Sequence, residues 1–189
     1  MKFLPTTKEE MKNLGWDSID VLLISGDTYL DTSYNGSALI GKWLVEHGFK
    51  VGIIAQPEVD VPDDITRLGE PNLFFAVSGG CVDSMVANYT ATKKRRQQDD
   101  FTPGGVNNKR PDRAVLVYSN MIRRFFKGTT KKIVISGIES SLRRITHYDY
   151  WTNKLRKPIL FDAKADILSY GMGEMSMLQL ATALKNGED

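Results

Sequence analysis

The chain has 189 residues but only one cysteine, Cys81, and two histidines, His47 and His147. A single thiol excludes a disulfide framework. It also excludes an iron–sulfur cluster held by this chain alone, because cluster irons need several thiolate ligands. No cluster of His, Cys, Asp and Glu with metal-ligand spacing can be read, so no metal site is assigned. No apolar run approaches the roughly 20 residues of a membrane span. The opening MKFLPTTKEEMKN lacks the apolar core of a signal peptide, so a cytoplasmic, non-membrane location is expected. Strong net charge is missing too: the balance is +2, too mild to argue for nucleic acid by itself.

What is present is an ample apolar fraction, 41%, enough for one well-packed domain. Short apolar runs alternate with helical patterns. The runs 20–25 (DVLLIS), 50–55 (KVGIIA), 73–77 (LFFAV), 132–136 (KIVIS) and 165–169 (ADILS) do not alternate polar with apolar. Such runs suit parallel strands buried on both faces. Helical spacing fits 35–47, 63–68, 83–89, 114–126 and 174–185, with Gly48 and Gly187 as stops. Residues 142–151 and 154–160 give no clear pattern. The expected fold is a single α/β domain over 1–189: a doubly wound, mostly parallel, Rossmann-like sheet of five strands. A polar, highly charged stretch at about 90–112 interrupts it. Structureless loops of that length are uncommon and are usually functional or disordered. The polar tail after the last helix is where a domain boundary would fall.

Four strands run into small or acidic residues: Ser25-Gly26-Asp27, Ser78-Gly79-Gly80 with Asp83, Ser136-Gly137-Ile138-Glu139-Ser140, and Gly171-Met172-Gly173-Glu174. Ligands of open α/β sheets bind outside the carboxyl ends of the strands. One such turn can serve only a tight strand-to-helix connection, but four on one edge point to a shared binding edge. The carboxylates there can grip a hydroxyl or a cation, or simply cap helices. Cys81 sits at a helix start with no identifiable basic partner and reads as a small packing residue.

The charged stretch offers Lys93, Lys94, Arg95, Arg96, Arg110 and Arg113, with Phe101 among them. It can close over the strand ends or dock on a neighbouring domain, and that reading is preferred because long loops carry function. Nucleic acid is the less favoured alternative, and a solvated loop is a third. His147, Asp149 and Trp151 fall in an aromatic run, HYDYW. It reads either as a pocket wall with acid–base groups or as a packed aromatic corner.

Several motifs together resemble the YgiQ-family radical-SAM proteins. They are FLPTT at 3–7, YTA at 89–91 with KKRR at 93–96, TPGG at 102–105, RPDRA at 110–114, ESSLRR at 139–144 and HYDYW at 147–151. The layout is also similar to the cobalamin-binding-like module upstream of many radical-SAM barrels, through SGIE at 136–139 and GMGE at 171–174. The resemblance implies an N-terminal accessory or substrate-side domain, with a downstream barrel in the same polypeptide. It implies a [4Fe–4S] cluster and S-adenosylmethionine in that parent. A C-x3-C-x2-C cluster motif is absent here, so no catalytic residue is assigned and the chain alone is expected not to be catalytic. Cobalamin is not expected. Where a D-x-H-x-x-G run would supply a histidine to cobalt, Asp27 is followed by Thr28, Tyr29, Leu30 and Asp31. The competing reading is a stand-alone module for a nucleotide or nucleic acid.

Overall fold

In the computed structural model, described for residues 3–30 and 36–188, five strands form one parallel sheet. They are β1 (Val21–Ser25), β2 (Val51–Ala55), β3 (Phe74–Ser78), β4 (Lys132–Ser136) and β7 (Ile167–Leu168), in the order β2-β1-β3-β4-β7. The helices are α1 (Lys8–Asn13), α2 (Gly36–Glu46), α3 (Pro62–Thr66), α4 (Ser84–Asn88), α5 (Ala114–Phe125), α6 (Gly137–Leu142), α7 (Ile159–Asp162) and α8 (Glu174–Lys185). Two short strands, β5 (His147–Asp149) and β6 (Lys154–Arg156), form a separate antiparallel hairpin.

The two sides of each strand feed two cores, which is why the strand sequences do not alternate. Leu22, Ile24, Phe75, Val77, Ile133 and Ile135 pack with residues of α1, α3, α5 and α7. Val21, Leu23, Phe74, Ala76 and Val134 pack with Leu44 of α2 and with Met177 and Ala181 of α8. α5 buries Ala114, Val115, Tyr118, Ser119, Met121 and Ile122, the spacing of one helical face. The five-stranded, doubly wound architecture expected from the apolar runs is the one observed.

Several elements differ from the sequence reading, among them α6 and α7, which form where no helix was assigned. α1 forms where none was assigned, nucleated by a capping box between Thr7 and Glu10. Strand β7 is shorter than the run 165–169 because only Ile167 and Leu168 pair with β4. Residues 147–156, which gave no pattern, make the hairpin.

The stretch 90–112 is not a free loop. It carries a 3-10 turn at Pro103–Gly105 and isolated bridges Tyr89–Arg95 and Gln98–Val106. It also packs back on the strand ends: the Thr28 N–H donates to the Phe101 carbonyl at 2.9 Å.

Candidate functional site at the carboxyl edge of the sheet

Register places the strand ends side by side. Ser25 lies opposite Ser78, and Ser78 opposite Ser136. A row of hydroxyl-bearing residues therefore crosses β1, β3 and β4, and Ser169 follows β7. The turn after β1 touches the turn after β3. A Cβ on Gly26 would stand 2.2 Å from the Gly79 carbonyl oxygen, so only glycine fits there. Gly80 has φ +110°, and a Cβ there would meet an Asp27 carboxylate oxygen.

Around this crossing the edge has two sides. One is a groove of about 750 Å3 between the strand ends and the starts of α2 and α8. Ser25, Asp27, Ser78, Gly80, Gly137, Gly171, Gly173 and Glu174 all line it, as the sequence reading grouped them. Leu39, Ile138 and Met172 contribute exposed apolar surface to the same lining. Among the described residues that line it there is no Lys, Arg or His.

The other side is closed by Arg110, which is 1% exposed. Its Nη2 donates to Asp27 Oδ1 at 2.6 Å and its Nη1 to the Gly79 carbonyl at 2.7 Å. Its Nε donates to Asp99 Oδ2 at 3.3 Å. Burial alone would push this guanidinium's pKa down; Asp27 and Asp99 outweigh it and hold the pKa up. Gln56 extends the clamp, donating to the Gly26 carbonyl at 3.0 Å and to Thr102 Oγ1 at 2.7 Å. Arg110 thus belongs to the fold's interior rather than to a basic surface. Arg113 is drawn inward as well, donating to Asp149 at 2.8 Å. Lys93, Lys94, Arg95 and Arg96 remain exposed.

Five strand-end residues lie outside the groove lining: Gly26 and Gly79, which meet where the two turns cross, and Asp83, Glu139 and Ser140. Asp83 caps α4, accepting from the Met85 N–H at 2.9 Å, and pairs with Arg143. Glu139, 1% exposed, accepts from the Ser84 N–H at 3.0 Å and the Val115 N–H at 3.2 Å, so it joins the starts of α4 and α5. Ser140 is fully buried beside it. The reason is helical: α6 begins at Gly137 without a loop, so its residues alternate between faces. Ile138 and Ser141 turn to the groove while Glu139 and Ser140 turn inward. Burial raises the Glu139 carboxyl pKa, against the pull of the Ser84 and Val115 hydrogen bonds.

The HYDYW run does not form a wall of the large groove. His147 borders a separate cavity of about 10 Å3 with Arg113, Arg143 and Arg156. Asp149 is buried and held down at about 2, because Thr152 and Arg113 outweigh the effect of burial. Trp151 packs on Tyr89 at 5.0 Å between ring centroids. Cys81 lines the groove, and its N–H donates to Asp27 Oδ2 at 2.6 Å. Burial and then the Asp27 charge push its thiol up to about 12. Among the described residues no three His, Cys, Asp or Glu side chains gather as a metal site. None of the described helices is long and apolar enough to cross a membrane.

Sequence reasoning missed Gln56, Asn88, Asp99 and Asp112. Asn88 Nδ2 donates to the Arg110 carbonyl at 3.2 Å and to Asp112 Oδ1 at 2.7 Å, anchoring the end of the insertion. Only the closeness of opposite charges inside 90–112 hinted that some of them pair.

The chain has relatives. The Radical SAM N-terminal family matches residues 3–189. The chain belongs to that family. It is 98% identical over its whole length to a UPF0313 protein of Fusobacterium nucleatum subsp. nucleatum, covering 33% of that protein. It is 59% identical to a UPF0313 protein of Thermotoga neapolitana, covering 99% of this chain and 33% of the relative. A relative from Methanocaldococcus jannaschii is 54% identical, with 30% of its length covered. The Radical SAM N-terminal chain thus spans about a third of these relatives. Among solved structures, the radical S-adenosylmethionine methyltransferase TsrM from Kitasatospora setae shares the fold. The TM-score is 0.56 at 16% identity, covering 89% of this chain and 26% of that one. TsrM has also been solved with cobalamin and a [4Fe-4S] cluster bound.

Proposed function

We propose that this chain is the substrate-side accessory domain of a radical-SAM iron–sulfur enzyme, and that its strand-edge groove receives an uncharged or cationic amphipathic part of the substrate. The observation that carries this is the groove's lining. It combines hydroxyls, glycines and apolar side chains with the carboxylates of Asp27 and Glu174, and none of the described residues that line it is cationic. A phosphate would face the Glu174 carboxylate with no cation in the described lining to offset it, since Arg110 is already committed to Asp27 and Asp99. A nucleotide-binding module is the weaker reading for the same reason.

The chain's own residues do not fit an iron–sulfur cluster, since Cys81 is its only thiol. The cluster and S-adenosylmethionine belong, in this proposal, to the longer polypeptide that the relatives' lengths indicate. Cobalamin, bound by TsrM, finds no imidazole in this groove. Apolar groups near the groove suit docking of the rest of that polypeptide: Ile138, Tyr170 and Met172 are 47%, 65% and 85% exposed.

The test is a thermal-shift screen of the full-length protein against small molecules sorted by charge, repeated with Ser141→Trp to fill the groove. ATP, S-adenosylmethionine and hydroxocobalamin serve as named probes. Stabilisation by neutral or cationic amphipathic molecules, lost in the Trp variant, is expected. Hits confined to phosphorylated anions, or hits indifferent to Ser141→Trp, would sink the proposal.

A further inference from the structure

A second surface shares no residue with the groove lining. It is built where the β5–β6 hairpin meets the insertion. The hairpin's inner face is fixed by buried Asp149, which takes Arg113 at 2.8 Å and Arg156 at 3.8 Å. Its outer face presents Tyr148 and Leu155, 58% and 77% exposed. The residues after β5 reach across to the insertion. The Tyr150 hydroxyl donates to the Ala91 carbonyl at 2.9 Å.

The rings and cations there form one continuous chain. Lys93 Nζ lies 4.6 Å from the Tyr150 ring centroid. Tyr150 meets Trp151 at 5.6 Å and Trp151 meets Tyr89 at 5.0 Å. Arg95 lies 5.6 Å over Tyr89. Lys94 is exposed next to Lys93 in the chain, and Lys154 is exposed on the hairpin, opposite Asp149 in register; neither makes an ion pair among the described residues. Asp149 is buried, and among the described residues Asp112 pairs with Arg95, at 3.4 Å. Phe101, the aromatic residue of the basic stretch itself, lies under Arg110 instead, 5.6 Å away.

We propose that this surface binds single-stranded nucleic acid, with Tyr150 and Tyr148 stacking on bases and Lys93, Lys94 and Lys154 neutralising phosphates. Exposed rings interleaved with lysines that pair with no carboxylate among the described residues are the two parts such binding needs. It is independent of the groove proposal.

Fluorescence anisotropy with labelled mixed-sequence single-stranded RNA and DNA tests it, on the full-length protein with the 189-residue chain in parallel. Heparin is the competitor that carries charge but no bases. The logarithm of the association constant should fall with log salt at a slope of about −2, from roughly 0.7 per neutralised phosphate and three lysines. Replacing Lys93, Lys94 and Lys154 together by Gln should weaken binding about tenfold or more, while Lys12→Gln with Lys127→Gln leaves it unchanged. Tyr150→Ala should cost about tenfold, and Tyr150→Phe, which keeps the ring but not the Ala91 contact, should cost little. Tighter binding of RNA than DNA would assign RNA as the source; equal binding would support the shared single-strand chemistry. Absence of binding, heparin competing as well as RNA does, or Tyr150→Phe failing like Tyr150→Ala would each overturn the proposal.

Discussion

The two sides of the sheet's carboxyl edge start from the same residue types and end in opposite states. On the groove side, serines, glycines and the Glu174 carboxylate leave an open space. On the clamp side, Arg110 fills the crossing of the β1 and β3 turns and is shared by two aspartates. Asp27 belongs to both: one oxygen holds Arg110 and the other accepts the Cys81 N–H at the groove. A strand-end crevice of this topology is where ligands are found. Here one half of it is occupied by the protein's own cation, so the open space of the edge is confined to the other half. The clamp gives the groove a rigid wall and ties the insertion to the sheet.

The sharpest way to break the contrast is to remove the plug. Arg110→Met leaves Asp27 and Asp99 buried without a cation, which should cost about 3–5 kcal/mol. Urea unfolding should show a lowered midpoint, and limited proteolysis should cut within 90–112. Arg110→Lys should recover only part of this, because one ammonium cannot match three separate acceptors. If Arg110→Met unfolds like the wild type, the clamp does not hold the insertion.

Glu139 gives the next effect. Glu139→Gln exchanges one of its two acceptors for a donor facing a buried backbone N–H, a loss of about 1–3 kcal/mol at neutral pH. The pH profile sharpens it. The folded-state carboxyl is raised above its ordinary 4.5, so its contribution to stability is present below that value and lost as pH rises through the folded pKa. The Gln variant should lack that decline.

Asp149 behaves in the reverse sense. Its pKa is about 2 against an ordinary 3.8, so its contribution is full above pH 3.8 and disappears as pH falls toward 2. Asp149→Asn should flatten acid unfolding over that range and loosen the hairpin, with faster hydrogen exchange at residues 147–156. An unchanged acid limb would show that Arg113 and Arg156 do not depend on this carboxylate.

These predictions separate what the sequence carried from what it hid. The strands were legible because parallel strands buried on both faces must be apolar throughout, as in VLLIS and KIVIS. That the strand-end turns share one open edge was legible because glycine and serine cluster after four of them. The division of that edge was not. Ile138 and Glu139 are neighbours in sequence and face opposite sides only because α6 starts directly at Gly137. Nor was the clamp: Arg110 is one basic residue among many in 90–112, and its partner Asp27 lies 83 residues away. The β5–β6 hairpin was hidden because its strands have three residues each and KLR has no buried alternation. Family motifs marked 93–96 and 147–151 separately, but only the fold brings Lys93 over Tyr150.

The smallest effect on stability, and the finest probe of the seam, concerns Cys81. It is half-buried, so Cys81→Ser should change stability by about 1 kcal/mol or less. Its chemistry should be far more responsive. Burial and the Asp27 charge raise the thiol to about 12 from an ordinary 9.0, while Arg110 pulls the other way. Only the thiolate is alkylated, so iodoacetamide near pH 8 should modify Cys81 on the order of a hundred- to a thousandfold more slowly than an unperturbed thiol. Because the thiol lines the groove, an occupant should slow it further. Mild Arg110 variants that stay folded should slow it as well, because the cation that partly offsets Asp27 is gone. A rate close to that of a free thiol would mean that Asp27 does not shadow Cys81, and that the clamp and the groove are electrically separate sites rather than two sides of one edge.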